Sequence, residues 1–220
     1  MIAIMVFVFA SVTVIYGMLR LKYNRGEFIT RDAYDAGRSD LIKANSFKTI
    51  ELVNCAGVSM EKSDSFSIRL NKHLNREFVY RFDGDKLVVE GKGDEPGVMV
   101  WASVHIKSPV VESIHLKNSR LYLSEYDLSS LQAEISGESS LVISSSRIGS
   151  FAVSATDNSS LELEEKTEIQ TMFVSLSGYS SLRSGSGKIG KLHFRQISDS
   201  ATLELDGRSF RALADTSLSK

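Results

Sequence analysis

Beyond residue 47 apolar and polar residues alternate with a period of two, and from Val111 onward the alternating unit itself recurs. The matching segments are LQAEISGESSLVI at 131–143, FAVSATDNSSLEL at 151–163 and MFVSLSGYSSLRS at 172–184. RQISDSATLEL at 195–205 keeps the pattern with Ala-Thr in place of Ser-Ser, and VESIHLKNSRLYL at 111–123 is a divergent earlier copy. One leucine marks each copy: Leu121, Leu141, Leu161, Leu182 and Leu203, at steps of 20, 20, 21 and 21 residues. Short alternating runs such as Phe151–Ala155 and Leu161–Glu164, parted by Ser, Gly, Asp or Asn clusters, are the signature of strands and turns. A period of about 20 is too short for a propeller blade and lacks the helical spacing of tetratricopeptide or ankyrin units. Leucine-rich repeats share the length, but their asparagine-leucine pattern is absent.

The expectation is an all-β fold, a right-handed parallel β-helix-like stack of about 20-residue rungs, each with three short strands joined by corners. Equivalent residues should then stack about 4.8 Å apart. Leu121, Leu141, Leu161, Leu182 and Leu203 form one expected inward ladder, and Ile135, Ala155, Leu176 and Ile197 a second. Corner hydroxyls are expected at Ser140, Ser160, Ser181 and Thr202, and four residues earlier at Ser136, Thr156, Ser177 and Ser198. Gly137, Asp157, Gly178 and Asp199 suit the turns between them. Phe47 to Pro109 is strand-like without sharing the repeat, and Asp83-Gly84-Asp85 reads as a hairpin turn between Phe82 and Leu87. These strands are expected to continue or cap the stack.

The start of the chain differs. Ile2 to Leu19 carries no charge, and 18 residues of helix span about 27 Å, close to a bilayer's hydrocarbon thickness. This predicts an uncleaved transmembrane anchor over 1–21, followed by a polar linker over 22–46 and a β domain over 47–215. Within that domain 47–110 is less regular and 111–215 carries the rungs. A cleaved signal peptide is the rival, though its basic n-region is missing. Arg20, Lys22, Arg25 and Arg31 follow the helix, and the positive-inside rule would place that flank in the cytoplasm. Large domains translocate with little regard to flanking charge, and the β domain is expected on the extracytoplasmic, periplasmic side of the inner membrane.

Composition narrows the function. Lys and Arg number 26 against 27 Asp and Glu, a formal net charge of −1, so no basic field recruits nucleic acid. The single cysteine, Cys55, sits in an alternating run and reads as a small buried hydrophobe. His73, His105, His115 and His193 fall in no metal-ligand spacing, and neither a metal nor a cofactor is indicated. Gly185-Ser186-Gly187-Lys188-Ile189-Gly190 matches the dinucleotide fingerprint, but the strand-like Lys191-Leu192-His193-Phe194-Arg195 follows where the fingerprint needs a helix. No G-x-S-x-G elbow marks a hydrolase.

Phe47-x-x-Ile50-x-Leu52, the Asp83-Gly84-x-x-Leu87 turn and the recurring Ser-Gly-x-Ser-Ser-Leu and Asp-Asn-Ser-Ser-Leu units resemble the GIN domain, the head domain assigned to autotransporter adhesins and common in Bacteroidetes envelope proteins. The resemblance spans about 47–215 and implies a β-helix-like fold and an adhesin-like role. It supplies no catalytic or binding residue. No membrane barrel follows before Lys220, and autotransport in the strict sense is not expected.

The reading is a non-catalytic envelope module, bound to the membrane through Ile2 to Leu19, with a glycan or protein surface as its partner. The first alternative is a polysaccharide lyase or glycosidase on one face, which needs clustered carboxylates. Glu162, Glu164, Glu165 and Glu168 are the candidates, but the ladder is broken by Val142 and Ile143 on one side and by Arg183 and Ser184 on the other. The second is a purely structural envelope component.

Overall fold

A computed structural model of the chain describes residues 39–71, 78–92, 99–198 and 200–206, with Arg20 and Ser209. The chain divides into two units, Met1–Ser39 and Asp40–Lys220, and the second is described here. The expected anchor, Ile2 to Leu19, lies outside the described residues; among those described, no helix is long and apolar enough to cross a membrane.

The strands are β1 (Ser39–Lys43), β2 (Thr49–Val53), β3 (Cys55–Lys62), β4 (Ser67–Asn71), β5 (Phe78–Asp83), β6 (Lys86–Gly91), β7 (Val100–Ser108), β8 (Ser113–Lys117) and β9 (Arg120–Ser124). They continue with β10 (Asp127–Ser136), β11 (Ser140–Ser144), β12 (Arg147–Ala155), β13 (Ser160–Leu163), β14 (Glu168–Leu176), β15 (Ser181–Arg183), β16 (Lys188–Ile197) and β17 (Thr202–Glu204). Two sheets result, in the orders β1-β4-β7-β3-β9-β11-β13-β15-β17 and β16-β14-β12-β10-β8-β2-β6-β5.

From β8 onward successive strands alternate between the sheets, and each pairs in parallel with the strand one repeat later. The step is visible in the backbone, where Ser140, Ser160, Ser181 and Thr202 each donate an N–H to the carbonyl of Ser119, Ser139, Ser159 and Ser180, all at 2.9 Å. Each rung holds two strands rather than the expected three, because the first runs on through its bend. In β10, Leu128 and Leu131 are both buried with two exposed residues between them, where strict alternation would allow one. Gly149 sits at this bend in β12, and a Cβ there would lie 2.6 Å from the Ser129 carbonyl oxygen of the rung before.

The leucine ladder forms as expected. Leu121, Leu141, Leu161 and Leu182 are partners in successive strands and almost fully buried, while Leu203 in the last rung is partly buried against the same core. In the second ladder Ile135, Ala155 and Leu176 are buried, but Ile197 is 45% exposed. The cause is local: the pairing of β14 with β16 shifts register between Val174 and Ser175, and β16 is the edge strand of its sheet.

The non-repeating strands extend the same two sheets in an order the chain does not follow. Between β6 and β8 lies β2, and between β7 and β9 lies β3, all in parallel, so Leu52 stacks between Val89 and Leu116 in the Ile135 column. The far end closes with antiparallel pairs, β5 with β6 and β4 with β7. The β5–β6 turn is the expected Asp83-Gly84-Asp85, with Gly84 at φ 62°. Ser39–Lys43, inside the segment read as a linker, forms β1 next to β4.

Candidate functional site

Two kinds of corner turn the chain from sheet to sheet, and both bury serine. At the first, Asn54, Asn118, Gly137, Asp157 and Gly178 hold left-handed backbone, φ 46° to 70°, which Gly, Asn and Asp tolerate best. The side chains bridge rungs: the Gly137 N–H donates to Asp157 Oδ2 at 3.2 Å and Asn118 Nδ2 donates to Asn54 Oδ1 at 3.3 Å. Asp199, the next expected turn residue, lies outside the described residues.

The buried hydroxyls at this corner stand one position earlier than expected. Ser119, Ser139, Ser159 and Ser180 are buried, whereas Ser140, Ser160 and Ser181 begin strands and are half-buried on the outer face. Ser139 Oγ donates to the Ser136 carbonyl at 2.5 Å and accepts the Ser119 N–H at 3.0 Å, so it satisfies two neighbouring rungs. Ser119 Oγ accepts the Cys55 N–H at 3.0 Å. Ser119, Ser139 and Ser159 thus meet backbone groups which would otherwise be buried without partners. At the second corner Tyr126 is buried with its hydroxyl 2.8 Å from Ser108 Oγ, and Ser146 Oγ accepts its N–H at 3.1 Å.

The residues singled out for chemistry are dispersed. Glu162 lies on the outer side of β13 in the nine-stranded sheet and Glu164 follows that strand, whereas Glu168 opens β14 in the other sheet. Each meets a partner. Arg183 lies 4.0 Å from Glu162, the Tyr122 hydroxyl donates to Glu164 at 2.7 Å, and Lys188 donates to Glu168 at 2.8 Å. The Lys188 hydrogen bond and charge hold the Glu168 carboxyl below its usual range. Asp127, Arg147, Glu168 and Lys188 are successive register partners, so charge alternates along that edge. A site with an acid poised near neutrality needs a carboxyl pushed upward, and Glu168 is pulled the other way.

His105 lies 2.7 Å from Ser59 Oγ, and His115 3.0 Å from a Glu134 carboxylate oxygen. His193 stacks on Phe173 at 5.1 Å with Arg195 over the same ring. His73 lies outside the described residues. No cluster of three metal-ligating side chains occurs among the described residues. The Gly185–Gly190 run leads into β16, a strand. Cys55 is buried, and burial pushes its thiol up to about 12, an inert form.

Sequence reasoning passed over Tyr122. Its hydroxyl reaches Glu164 near the end of β13, two strands from its own β9, a span of about 9.6 Å at ordinary strand spacing. The side chain must therefore lie along the sheet across β11, where its neighbour in register is the half-buried Val142. The residue is 39% exposed. Ser144 lowers the titration of the hydroxyl, while Glu164 and partial burial raise it by more, leaving it above the usual value. Beside the ring runs a groove of about 600 Å³ lined by Ser140, Ser160, Asn158 and the side-chain-free Gly57, among others. The signal in the sequence was an aromatic at an outward position, in a column shared with Val142, Glu162 and Arg183.

The described residues define a two-sheet, all-β repeat domain with an open groove on its outer face. No protein-family model matches the sequence, and no curated protein sequence matches it. Among solved structures it is similar to a protein from Bacteroides fragilis named a putative adhesin, with TM-score 0.53 and 11% identity over 76% of this chain and 96% of that one. It also matches a putative adhesin from Parabacteroides merdae, TM-score 0.40 and 13% identity over 76% of this chain and 95% of that one. A third match is a putative lipid binding protein from Parabacteroides distasonis, TM-score 0.42 and 12% identity over 77% of this chain and 94% of that one. At such identity the likeness to the Bacteroides fragilis protein is one of fold.

Proposed function

We propose that the chain is a non-catalytic, adhesin-like binding module of the bacterial cell envelope, of GIN type. Ile2 to Leu19 anchors it in the inner membrane, and its β domain stands on the extracytoplasmic side. Its rungs wind as a right-handed β-helix-like stack whose outer faces meet glycan or protein surfaces. The observation that carries this reading is the fold shared with the Bacteroides fragilis protein named an adhesin. Supporting it, the outward carboxylates proposed for an enzyme are engaged by Arg183, Tyr122 and Lys188 in place of converging on a shared substrate position.

Full-length protein in detergent, immobilised and offered neutral and acidic polysaccharides and matrix proteins, should retain at least one of them without releasing sugar. Retention of none removes the binding reading. Sugar release that is abolished by Glu162→Gln or Glu164→Gln replaces it with the enzyme. For the anchor, the full chain should fractionate with membranes; recovery from soluble periplasm lacking about 20 N-terminal residues would show a cleaved signal peptide instead.

A further inference from the structure

The face beside Tyr122 is built as a platform, and the geometry points to a subsite for a neutral pyranose, with the sugar ring stacked on the outer face of Tyr122. This rests on the binding-module reading and names the class of ligand and the place. Four observations support it. The hydroxyl is tied to Glu164 at 2.7 Å, so the side chain is restrained across the sheet before any ligand arrives, and a ring fixed in advance loses little freedom on binding. An exposed amphipathic aromatic suits the C–H face of a pyranose, which is apolar while its rim is polar. Along the neighbouring column, Ser140 and Ser160 are paired in register with their hydroxyl oxygens 3.1 Å apart, and both line the groove beside the ring. Such a pair, 3.1 Å apart, offers donor and acceptor sites to vicinal sugar hydroxyls, with Asn158 at the same groove.

Charge selects the class. The groove is lined by one cation, Arg120, and one anion, Glu138, so it presents no net charge to attract a uronic acid or a sulfated sugar. Space comes from Gly57, which adjoins Arg120 at the start of the column and adds no side chain there. An open groove of this kind accommodates a residue within a longer chain, in contrast to the enclosed pockets that surround small molecules.

The test uses full-length protein in detergent and saturation-transfer difference NMR with laminaritriose, chitotriose and mannotriose as neutral probes and trigalacturonate as the acidic one. At least one neutral trisaccharide should bind and the acidic one should not. Tyr122→Ala should weaken that binding at least tenfold, while Tyr122→Phe, which keeps the ring, should weaken it less than threefold. Lys191→Ala, on the outer face of the other sheet, should leave it unchanged. Thermal melts of each variant exclude unfolding as the cause, since Tyr122 is outside the core. Absence of binding by every neutral probe overturns the subsite, as does exclusive binding of trigalacturonate. Binding of a neutral probe that Tyr122→Ala leaves intact also overturns it, but leaves the binding module standing; only failure to retain any surface removes both.

Discussion

Replacing Leu161 by alanine tests the inward ladder at its centre. Leu161 is 1% exposed, pairs with Leu141 on one side and Leu182 on the other, and both neighbours are fully buried. Truncation removes three carbon atoms from a site fixed from above and below by identical side chains, so the surroundings can close only partly on the cavity. Burial of a leucine contributes about 1.5–3 kcal/mol, and the unfilled cavity raises the cost of Leu161→Ala to about 2–5 kcal/mol. For a chain of this length each kcal/mol lowers the melting temperature by about 2–4 °C, so a fall on the order of 10 °C is expected. The neighbour Glu162 points to the other side of the strand, with its side chain 41% exposed and Arg183 4.0 Å away. That surface pair is worth little, and Glu162→Ala should stay within about ±0.5 kcal/mol. Urea and thermal melts of the two variants in the full chain give the contrast. Equal effects at the two positions would refute both the strand phase and the ladder.

Ser139→Ala removes the acceptor of the buried Ser119 N–H and should cost about 1–3 kcal/mol. Ser180→Ala should be neutral or stabilising in the same melts, because Ser180 Oγ is buried without a hydrogen-bond partner among the described residues. Gly149→Ala places a methyl carbon against the Ser129 carbonyl oxygen and should cost about 1–3 kcal/mol, again read by melting. Stability should also fall in alkali. Burial raises the Cys55 thiol from 9.0 to about 12 and the Tyr126 hydroxyl from 10.0 to about 12. The unfolded chain therefore loses these protons first, and the stabilisation present below pH 9 is lost as pH rises towards 12. Urea midpoints from pH 8 upward and thiol-reagent accessibility of Cys55 follow this directly; a midpoint flat across that range, or a thiol that reacts fully in the native protein, would contradict it.

What the sequence made legible is what repeats. The leucines of five copies and the Gly137, Asp157 and Gly178 turns could be aligned because each rung solves the same corner and packing problem with the same residue type. The hydroxyl ladder was misplaced by one position because both serines of each Ser-Ser pair fit a corner by composition; only backbone geometry distinguishes Ser139, which accepts the Ser119 N–H, and Ser159, which donates to the Thr156 carbonyl, from the outward Ser140 and Ser160. The bend inside β10, β12 and β14 was not seen because it shortens no strand and leaves only one extra polar residue between two buried ones. The placing of β2 and β3 between the later rungs and β6 and β7 follows no sequence period at all, since each of those strands meets its neighbours through long-range pairing. Tyr122 escaped notice for a related reason. A single outward aromatic carries no pattern, and its orientation depends on a carboxylate in a rung two strands away.

The most direct test of the account is whether neighbouring rungs step by one repeat in register. In a Cys55→Ala background, Ser140→Cys with Ser160→Cys joins register partners in adjacent strands, whose α-carbons lie about 4.8 Å apart by strand spacing, within the separation of about 4.4–6.8 Å that a disulfide spans. Arg120→Cys with Ser160→Cys places the thiols two strands apart, at about 9.6 Å by strand spacing. Mild oxidation of the native full-length protein should close the first pair to completion, leave the second open, and show the difference as an intramolecular cross-link by peptide mass spectrometry. An open first pair, or equal closure of both, would contradict the stacked rungs and the outer face built on them.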